Sequence, residues 1–456
     1  MGGKQPLTPI ERILTLFTRV HPGEGRCVLL LCLQAFALML AYYLIRPVRE
    51  ALILTEGTAE LRSYAVGVQA LLLIVLIPAY GLLLRRVPAR RVYALVNGFF
   101  ALNLVVFFLL GQSGQRFSFA FFVWGSIFGV MAVTQFWAFA TDLVDVPCGK
   151  RLFGIIAVGV SAGAWAGSRL AAAGFEAIGP YGLMLAAAAV LCVAICISER
   201  VRQSVPAASR STHASDDTES RGRAGSWLGG IAVIAGNRYL VAIAALVVLL
   251  NWITSTGDFV LSSWLAEVAR AEAPESQARY IGRFMSEYCA TVTLVGFLIQ
   301  LLLVSRIIDR AGIGKALLVT PLVFLAGYFF IGMVPVFALL QSTLVIQRSL
   351  DYSLLNTARS ALLLPASRDV KYQAKTAIDT LFYRLGDLIS TFGIFLGMRV
   401  FDEPRLQFVW LIVVLSVTMT LVAWFIAREY SRRFGDATAS RADGPAACGR
   451  HAVLAQ

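Results

Sequence analysis

Histidine is almost absent from this sequence. Three occur in 456 residues, His21, His213 and His451, and all three fall in polar stretches outside the apolar runs. That removes most intramembrane enzymes that use a histidine base or a histidine-held metal. The phosphate-cradling pattern G-x-x-x-x-G-K-S/T is missing as well. G-I-G-K-A at Gly312 has neither its spacing nor its hydroxyl. No ATP-hydrolysing motor is encoded, so any work must draw on a gradient or an exchange. The seven cysteines are scattered without a zinc or disulfide spacing, and Cys192 and Cys196, one helical turn apart, read as apolar packing. No motif for a cofactor or a metal stands out. No cleavable leader is expected ahead of the first apolar run, which is long enough to span, and Pro6 sits where myristoylation at Gly2 needs Ser or Thr. Charge is scarce too: 15% of residues carry one, against about 25% in a soluble domain.

What is abundant is apolar surface. Hydrophobic residues make up 58% of the chain and the mean hydropathy is +0.73. Runs near 20 residues cross a bilayer as helices. Twelve are expected, at 27–53, 64–84, 92–111, 117–140, 152–174, 180–198, 239–262, 284–305, 314–333, 335–356, 376–398 and 407–427. The net charge of +13 is not read as a nucleic-acid surface. Most Lys and Arg fall on one side of this topology, which orients both termini to the cytoplasm. R-R-V-P-A-R-R, Arg85 to Arg91, is a basic turn of this kind.

The longest polar interruption, 199–238, separates six runs from six. The expected organisation is a cytoplasmic tail (1–26), a six-helix bundle (27–198), a polar linker (199–238), a second six-helix bundle (239–427) and a cytoplasmic tail (428–456). The fold class is therefore an all-α polytopic membrane protein of the major facilitator type. The polar residues agree with it. Helix 1 carries Gln34, Tyr42, Tyr43, Arg46 and Arg49; helix 4 carries Trp124, Ser126, Thr134, Gln135 and Trp137. Helix 7 carries Asn251, Trp252, Thr254, Ser255 and Asp258, and helix 10 carries Gln341, Gln347, Arg348, Asp351, Tyr352 and Asn356. Helices 6, 9 and 12 are almost wholly apolar. Polar groups facing lipid are costly, so this period of three implies a shared aqueous path lined by helices 1, 4, 7 and 10.

Charges inside such helices need a reason. K-Y-Q-A-K-T-A-I-D-T-L-F-Y-R-L-G-D places Lys371, Lys375, Asp379, Tyr383 and Asp387 four apart, a slowly drifting stripe on one helix. Lys375 and Asp379 can pair at a helix end; Arg384 and Asp387 lie deeper and suit a gate or a substrate contact. In A-Y-Y-L-I-R-P-V-R-E-A-L-I-L-T, helix 1 either ends at Arg46 or continues, kinked at Pro47, and then carries Arg46, Arg49 and Glu50 into a cavity. Arginine forks match carboxylate and phosphate. Arg169 lies inside helix 5 and needs a partner from elsewhere. Arg348 and Asp351, three apart, are expected to pair; Asp258 and Glu287 are candidate proton sites.

These stretches resemble the ATP/ADP translocase (nucleotide transporter) family. T-A-R-S-A-L-L-L-P-A-S-R-D-V-K-Y-Q-A-K-T-A-I-D-T-L-F-Y-R-L-G-D is similar to its helix 10–11 region, matching at Pro365, Lys371, Lys375, Ile378, Asp379, Arg384, Leu385 and Gly386. L-I-R-P-V-R-E-A-L-I-L-T resembles its helix 1, and F-W-A-F-A-T-D-L with G-K-R-L-F-G its helix 4–5 stretch. Arg49 stands where the family has a lysine. Gly125 or Ser126 replaces a glutamate, and Asp387 replaces a lysine. The resemblance implies a secondary transporter that works by alternating access on a small anionic solute, phosphorylated or nucleotide-like, as a monomer in a bacterial inner membrane, with protons as a candidate coupling ion. The expected substrate contacts are Arg46, Arg49, Arg169, Arg384, Trp137 and Asn251. The expected coupling or gating residues are Asp258, Glu287, Arg348, Asp351, Lys375, Asp379 and Asp387. A receptor or scaffold on the same fold, without transport, stays open as the alternative.

Overall fold

In a hydrocarbon environment every backbone N–H and C=O must be satisfied within the chain, so long apolar segments fold as helices. The computed structural model describes residues 25–86, 89–143, 146–204, 227–363, 368–401 and 404–442, and helices account for almost all of them. The first half comprises α1 (Gly25–Glu56), α2 (Ala59–Arg86), α3 (Ala89–Gln112), α4 (Ser118–Leu143), α5 (Val146–Ala177) and α6 (Gly179–Ser204). The second comprises α7 (Arg238–Glu272), α8 (Gln277–Leu302), α9 (Val304–Met333), α10, α11 and α12 (Pro404–Ala442). Among the described residues, eleven helices are long and apolar enough to cross a membrane. The remaining pass, α10, is a composite of Phe337–Leu350, a π-turn at Asp351–Leu355 and Asn356–Leu362. α11 is built alike, from Arg368–Ala377, a π-turn at Ile378–Phe382 and Tyr383–Val400.

The helices that the polar residues place at the centre are the buried ones. In their most apolar windows α1, α4 and α7 are 56%, 61% and 67% buried, against 22% for α3. Leu95, Phe99 and Leu102 on α3, and Val414 and Leu421 on α12, face outward as a lipid-facing surface requires. The halves meet through α5 on α8 and α2 on α11, with α1 also against α8. α5 reaches α1 through Gly159, Gly163 and Gly167. A Cβ on Gly159 would stand 2.5 Å from the Cys32 carbonyl oxygen, and one on Gly167 2.7 Å from that of Leu40. Small residues at this spacing let two membrane helices touch backbone to backbone.

One expectation is met and one modified. Of the two readings of α1, the continued helix holds: it runs through Pro47 to Glu56, because A-L-I-L continues the buried face beyond the arginines. Parts of the expected linker and tail are helical: α6 extends to Ser204, a short helix Trp227–Ala235 packs on the first part of α11, and α12 continues past Arg428 to Ala442. The rest of the linker (205–226), both chain ends (1–24 and 443–456), Pro365, and the side chains of Lys371 and of the basic turn 85–91 lie outside the described residues.

Candidate functional site

α1 turns Arg46, Arg49 and Glu50 toward the axis between the halves, and there they line a cavity of about 170 Å³. α2 adds Arg62 and Ser63, α4 Phe122, and α7 Asn251, Ser255 and Asp258. Tyr288 comes from α8, Arg348 and Tyr352 from α10, and Tyr383, Arg384 and Asp387 from α11. Five arginines face three carboxylates, which leaves two positive charges in excess (five less three) with all groups ionised.

The charges form a ladder. Arg62 grips Glu50 with two donors, Nε to Oε2 at 2.6 Å and Nη2 to Oε1 at 3.4 Å. Glu50 also holds Arg49 at 3.4 Å. The same Arg62 Nη2 reaches Asp258 Oδ2 at 3.6 Å, and Arg348 donates to that oxygen at 2.5 Å. The order is Arg49–Glu50–Arg62–Asp258–Arg348, and the step from Arg62 to Asp258 crosses from the first half to the second. A separate pair lies beside it: Asp387 accepts from Arg384 at 3.4 Å and from the Ser255 hydroxyl at 2.6 Å.

Several donors remain unused. Arg46 donates to the Tyr43 hydroxyl at 3.3 Å and stacks on that ring, and among the described residues no carboxylate lies within ion-pair reach of it. Arg49 donates to Ser126 at 2.5 Å, and its guanidinium lies 4.8 Å from the centre of the Phe122 ring, which Arg62 approaches on its own account at 5.6 Å. Among the described residues, buried Arg49 Nε, Arg384 Nε and the Tyr288 hydroxyl have no hydrogen-bond partner. Buried polar atoms are ordinarily satisfied, so unused donors on residues that line a cavity suit an acceptor-rich, anionic occupant.

Of the residues expected from sequence, Arg46, Arg49, Asn251, Asp258, Arg348, Arg384 and Asp387 line this cavity. The others are not brought to it. Arg169 is exposed on α5 and no ion pair among the described residues includes it. Trp137 packs between Phe136 and Phe153. Glu287 is exposed and pairs at 3.1 Å with Arg283, which also contacts Glu176 of α5. Asp351 is half-buried but is not the partner of Arg348; Asp258 is. Lys375 and Asp379 are exposed, and Asp379 pairs with Arg359 at 3.4 Å. The π-turn explains this split. It begins at Ile378 and adds to the helical phase, so residues before it and after it share no single stripe. Arg62, which joins the halves, was not anticipated: the span drawn from residue 64 left it outside, whereas α2 begins at Ala59 and buries it.

Residues 115–344, half of the chain, match the family described as TLC ATP/ADP transporter. The chain belongs to that family. The match covers α4 to the first part of α10, so the two arginine-bearing stretches on α1 and α11 lie beyond it. No curated protein matches the chain. Two crystal structures of the nucleoside transporter NupG, one of them a point mutant, superpose with TM-scores of 0.62 and 0.63 at 12% and 14% identity. They cover 89% and 88% of this chain and 99% of those. A bacterial homologue of the human lysosomal transporter Spinster, inward-facing and unoccupied, superposes at 0.59 with 14% identity, over 91% of this chain and 99% of that one. At such identities the likeness is one of fold: a multi-pass, all-helical fold of the major facilitator type.

Proposed function

We propose that this transporter is a secondary carrier of a small anionic solute, phosphorylated or nucleotide-like, which it moves by alternating access across a bacterial inner membrane with both termini cytoplasmic. The observation that carries the reading is the cavity: two positive charges in excess, with buried arginine and tyrosine donors that find no partner among the described residues. Arg46, Arg49 and Arg384 are the substrate contacts, and Asn251 lines the wall beside them. Asp258, Arg348 and Asp387 serve gating or coupling.

The gating role rests on where the halves are tied. Polar contacts between them include Arg62 with Asp258, Arg283 with Glu176, and the Thr391 hydroxyl with the Ser63 carbonyl at 3.1 Å. All three lie toward the end where α1 finishes, which the charge bias makes the outer face. An anion in the cavity that draws Arg62 to itself competes with Asp258 for it and loosens the tie.

The scaffold reading also finds support, since each of the three carboxylates already has an arginine. Flux separates the two. Purified full-length protein in proteoliposomes is loaded with ADP, inorganic phosphate or a dicarboxylate, and uptake of labelled ATP, phosphate or dicarboxylate is followed with and without a proton gradient. Saturable uptake of at least one anion, lost in Arg46→Gln with folding intact, is expected. No saturable flux of any of them from folded protein leaves the scaffold reading standing.

A further inference from the structure

A cavity of about 520 Å³ lies within the second half and shares no lining residue with the arginine cavity. Its volume falls in the range of ligand sites, roughly 300–1,000 Å³. α7, α9 and α12 form it, with Pro335 from the link between α9 and α10. The lining is graded along the helix axes. Val260, Ile331 and Val409 are at most 3% exposed and make the floor. Glu267 and Arg405 stand at the rim, 57% and 43% exposed, and pair with each other. Val260 and Glu267 lie on one helix, and the rise between them sets floor and rim about 10 Å apart. Phe330, Met333 and Val334, next to lining residues in the chain, and Leu406, itself in the lining, are exposed. Large apolar groups left open at the end of a membrane bundle face lipid, so the mouth opens to the bilayer. Trp264, packed edge-on against Phe337 at 5.8 Å, gives the wall an aromatic of the kind found at headgroup level.

We propose that this cavity holds a phospholipid with a zwitterionic, amine-bearing headgroup, phosphatidylethanolamine, at the end of the bundle where α7 finishes. The floor takes part of an acyl chain. The rim takes the headgroup: the phosphate accepts from the Arg405 fork and the ammonium donates to Glu267. An exposed ion pair contributes little to stability, so the headgroup parts Arg405 from Glu267 at small cost. A purely anionic headgroup would set its phosphate against Glu267 with nothing to neutralise that carboxylate. Every lining residue belongs to the second half, so the lipid moves with that half as a resident ligand when the halves part. It also backs α7, whose other face carries Asp258 into the ladder. None of this depends on the anion reading.

The test titrates purified full-length protein in detergent with phosphatidylethanolamine, phosphatidylcholine and phosphatidylglycerol of identical acyl chains, and reads bound lipid by native mass spectrometry. The ethanolamine lipid is expected to bind at least ten-fold more tightly than the glycerol lipid. It should also bind several-fold more tightly than the choline lipid, whose quaternary ammonium has no N–H for Glu267. Glu267→Gln is expected to reduce the ethanolamine lipid to the choline level, and Arg405→Gln to weaken all three. Leu406→Trp, which fills the mouth, should remove the tight site. Arg399→Gln, at an exposed arginine that donates to the Phe395 carbonyl of its own helix α11, should change nothing. Unfolding temperature in lipid-free detergent checks that the variants fold. Added phosphatidylethanolamine should raise it in the native protein and not in Leu406→Trp. No tight site, three lipids bound alike, or tightest binding of phosphatidylglycerol overturns the proposal. So do equal losses in Glu267→Gln and Arg399→Gln, which describe a lipid annulus without a site. An ethanolamine preference that survives Leu406→Trp overturns the assignment to this cavity.

Discussion

Arg62→Gln is the perturbation that asks most of this structure. Arg62 is 7% exposed and stands between Glu50 at 2.6 Å and Asp258 at 3.6 Å. Its removal orphans neither carboxylate, since Glu50 keeps Arg49 at 3.4 Å and Asp258 keeps Arg348 at 2.5 Å. The 3.6 Å contact alone is worth roughly 4–5 kcal/mol of gross attraction at an effective dielectric of about 20. Desolvation and the nearer Arg348 offset most of that, leaving about 1–3 kcal/mol net. The loss falls on the state in which α2 and α7 are held together, so the closed-to-open ratio at this end should drop by roughly 10- to 100-fold. Hydrogen exchange reads this directly. Amides in the first turns of α2 and around Asp258 are expected to exchange faster by that factor, while α9 and α12 are unchanged. Acceleration spread evenly over all helices would mean general destabilisation, and no acceleration at α2 and α7 would mean that the ladder does not hold the halves; either result refutes the gate.

Other substitutions follow from the same geometry. Arg46→Gln is expected to weaken anion binding by roughly 10- to 100-fold, the value of one charged hydrogen bond. Thermal stability should hold, because among the described residues Arg46 has only its contacts with the Tyr43 hydroxyl and ring to lose; a large fall in melting temperature would overturn the assignment. Asp387→Ala leaves Arg384 uncompensated at 10% exposure and should cost about 3–5 kcal/mol by denaturation, with Asp387→Asn milder because Ser255 keeps an acceptor. Glu287→Gln removes a pair whose partners are 48% and 58% exposed and should leave stability nearly unchanged in the same assay.

The sequence made the helices and the central set legible because hydrocarbon punishes unpaired polar groups, so that Arg46, Arg49, Asp258, Arg348 and Arg384 had to face inward. Pairing was less legible. Arg348 and Asp351 are three apart, which suggests a local pair, but a helical neighbour is no closer in energy than a carboxylate aimed across from α7, and Asp258 takes the contact. The stripe from Lys371 to Asp387 assumed an unbroken α-helical phase, which a π-turn at Ile378–Phe382 resets. Arg62 fell outside because a hydropathy window ends where charges begin, although a helix can start earlier and carry the charge inward. Arg49 shows how the family pattern is altered locally. At Gly125 and Ser126, one of which stands where the resemblance puts a glutamate, the Ser126 hydroxyl accepts from Arg49 at 2.5 Å, which satisfies one donor without neutralising the charge.

The position of the arginines depends in turn on how α1 is seated, and glycine gives a test whose sign decides. Replacing Gly by Ala inside a helix is worth up to about 1 kcal/mol of stability when nothing opposes the new methyl group. Gly98 on α3 has nothing within 4 Å of the place a Cβ would occupy, so Gly98→Ala should stabilise by about that amount. Gly163 on α5 is opposite: its Cβ would meet the backbone of Phe36 on α1, and backbone cannot swing aside as a side-chain tip can. Gly163→Ala must push α5 from α1, at a cost of about 1–3 kcal/mol in lost packing. Because Arg46 and Arg49 ride on α1, anion affinity should fall with stability. The pair of variants is compared by thermal unfolding in detergent and by calorimetric anion binding. Opposite signs for Gly98→Ala and Gly163→Ala, with reduced binding only in the second, are expected. If both substitutions stabilise, the close approach of α5 to α1 does not hold the site, and the arginines are positioned by the ion-pair ladder alone.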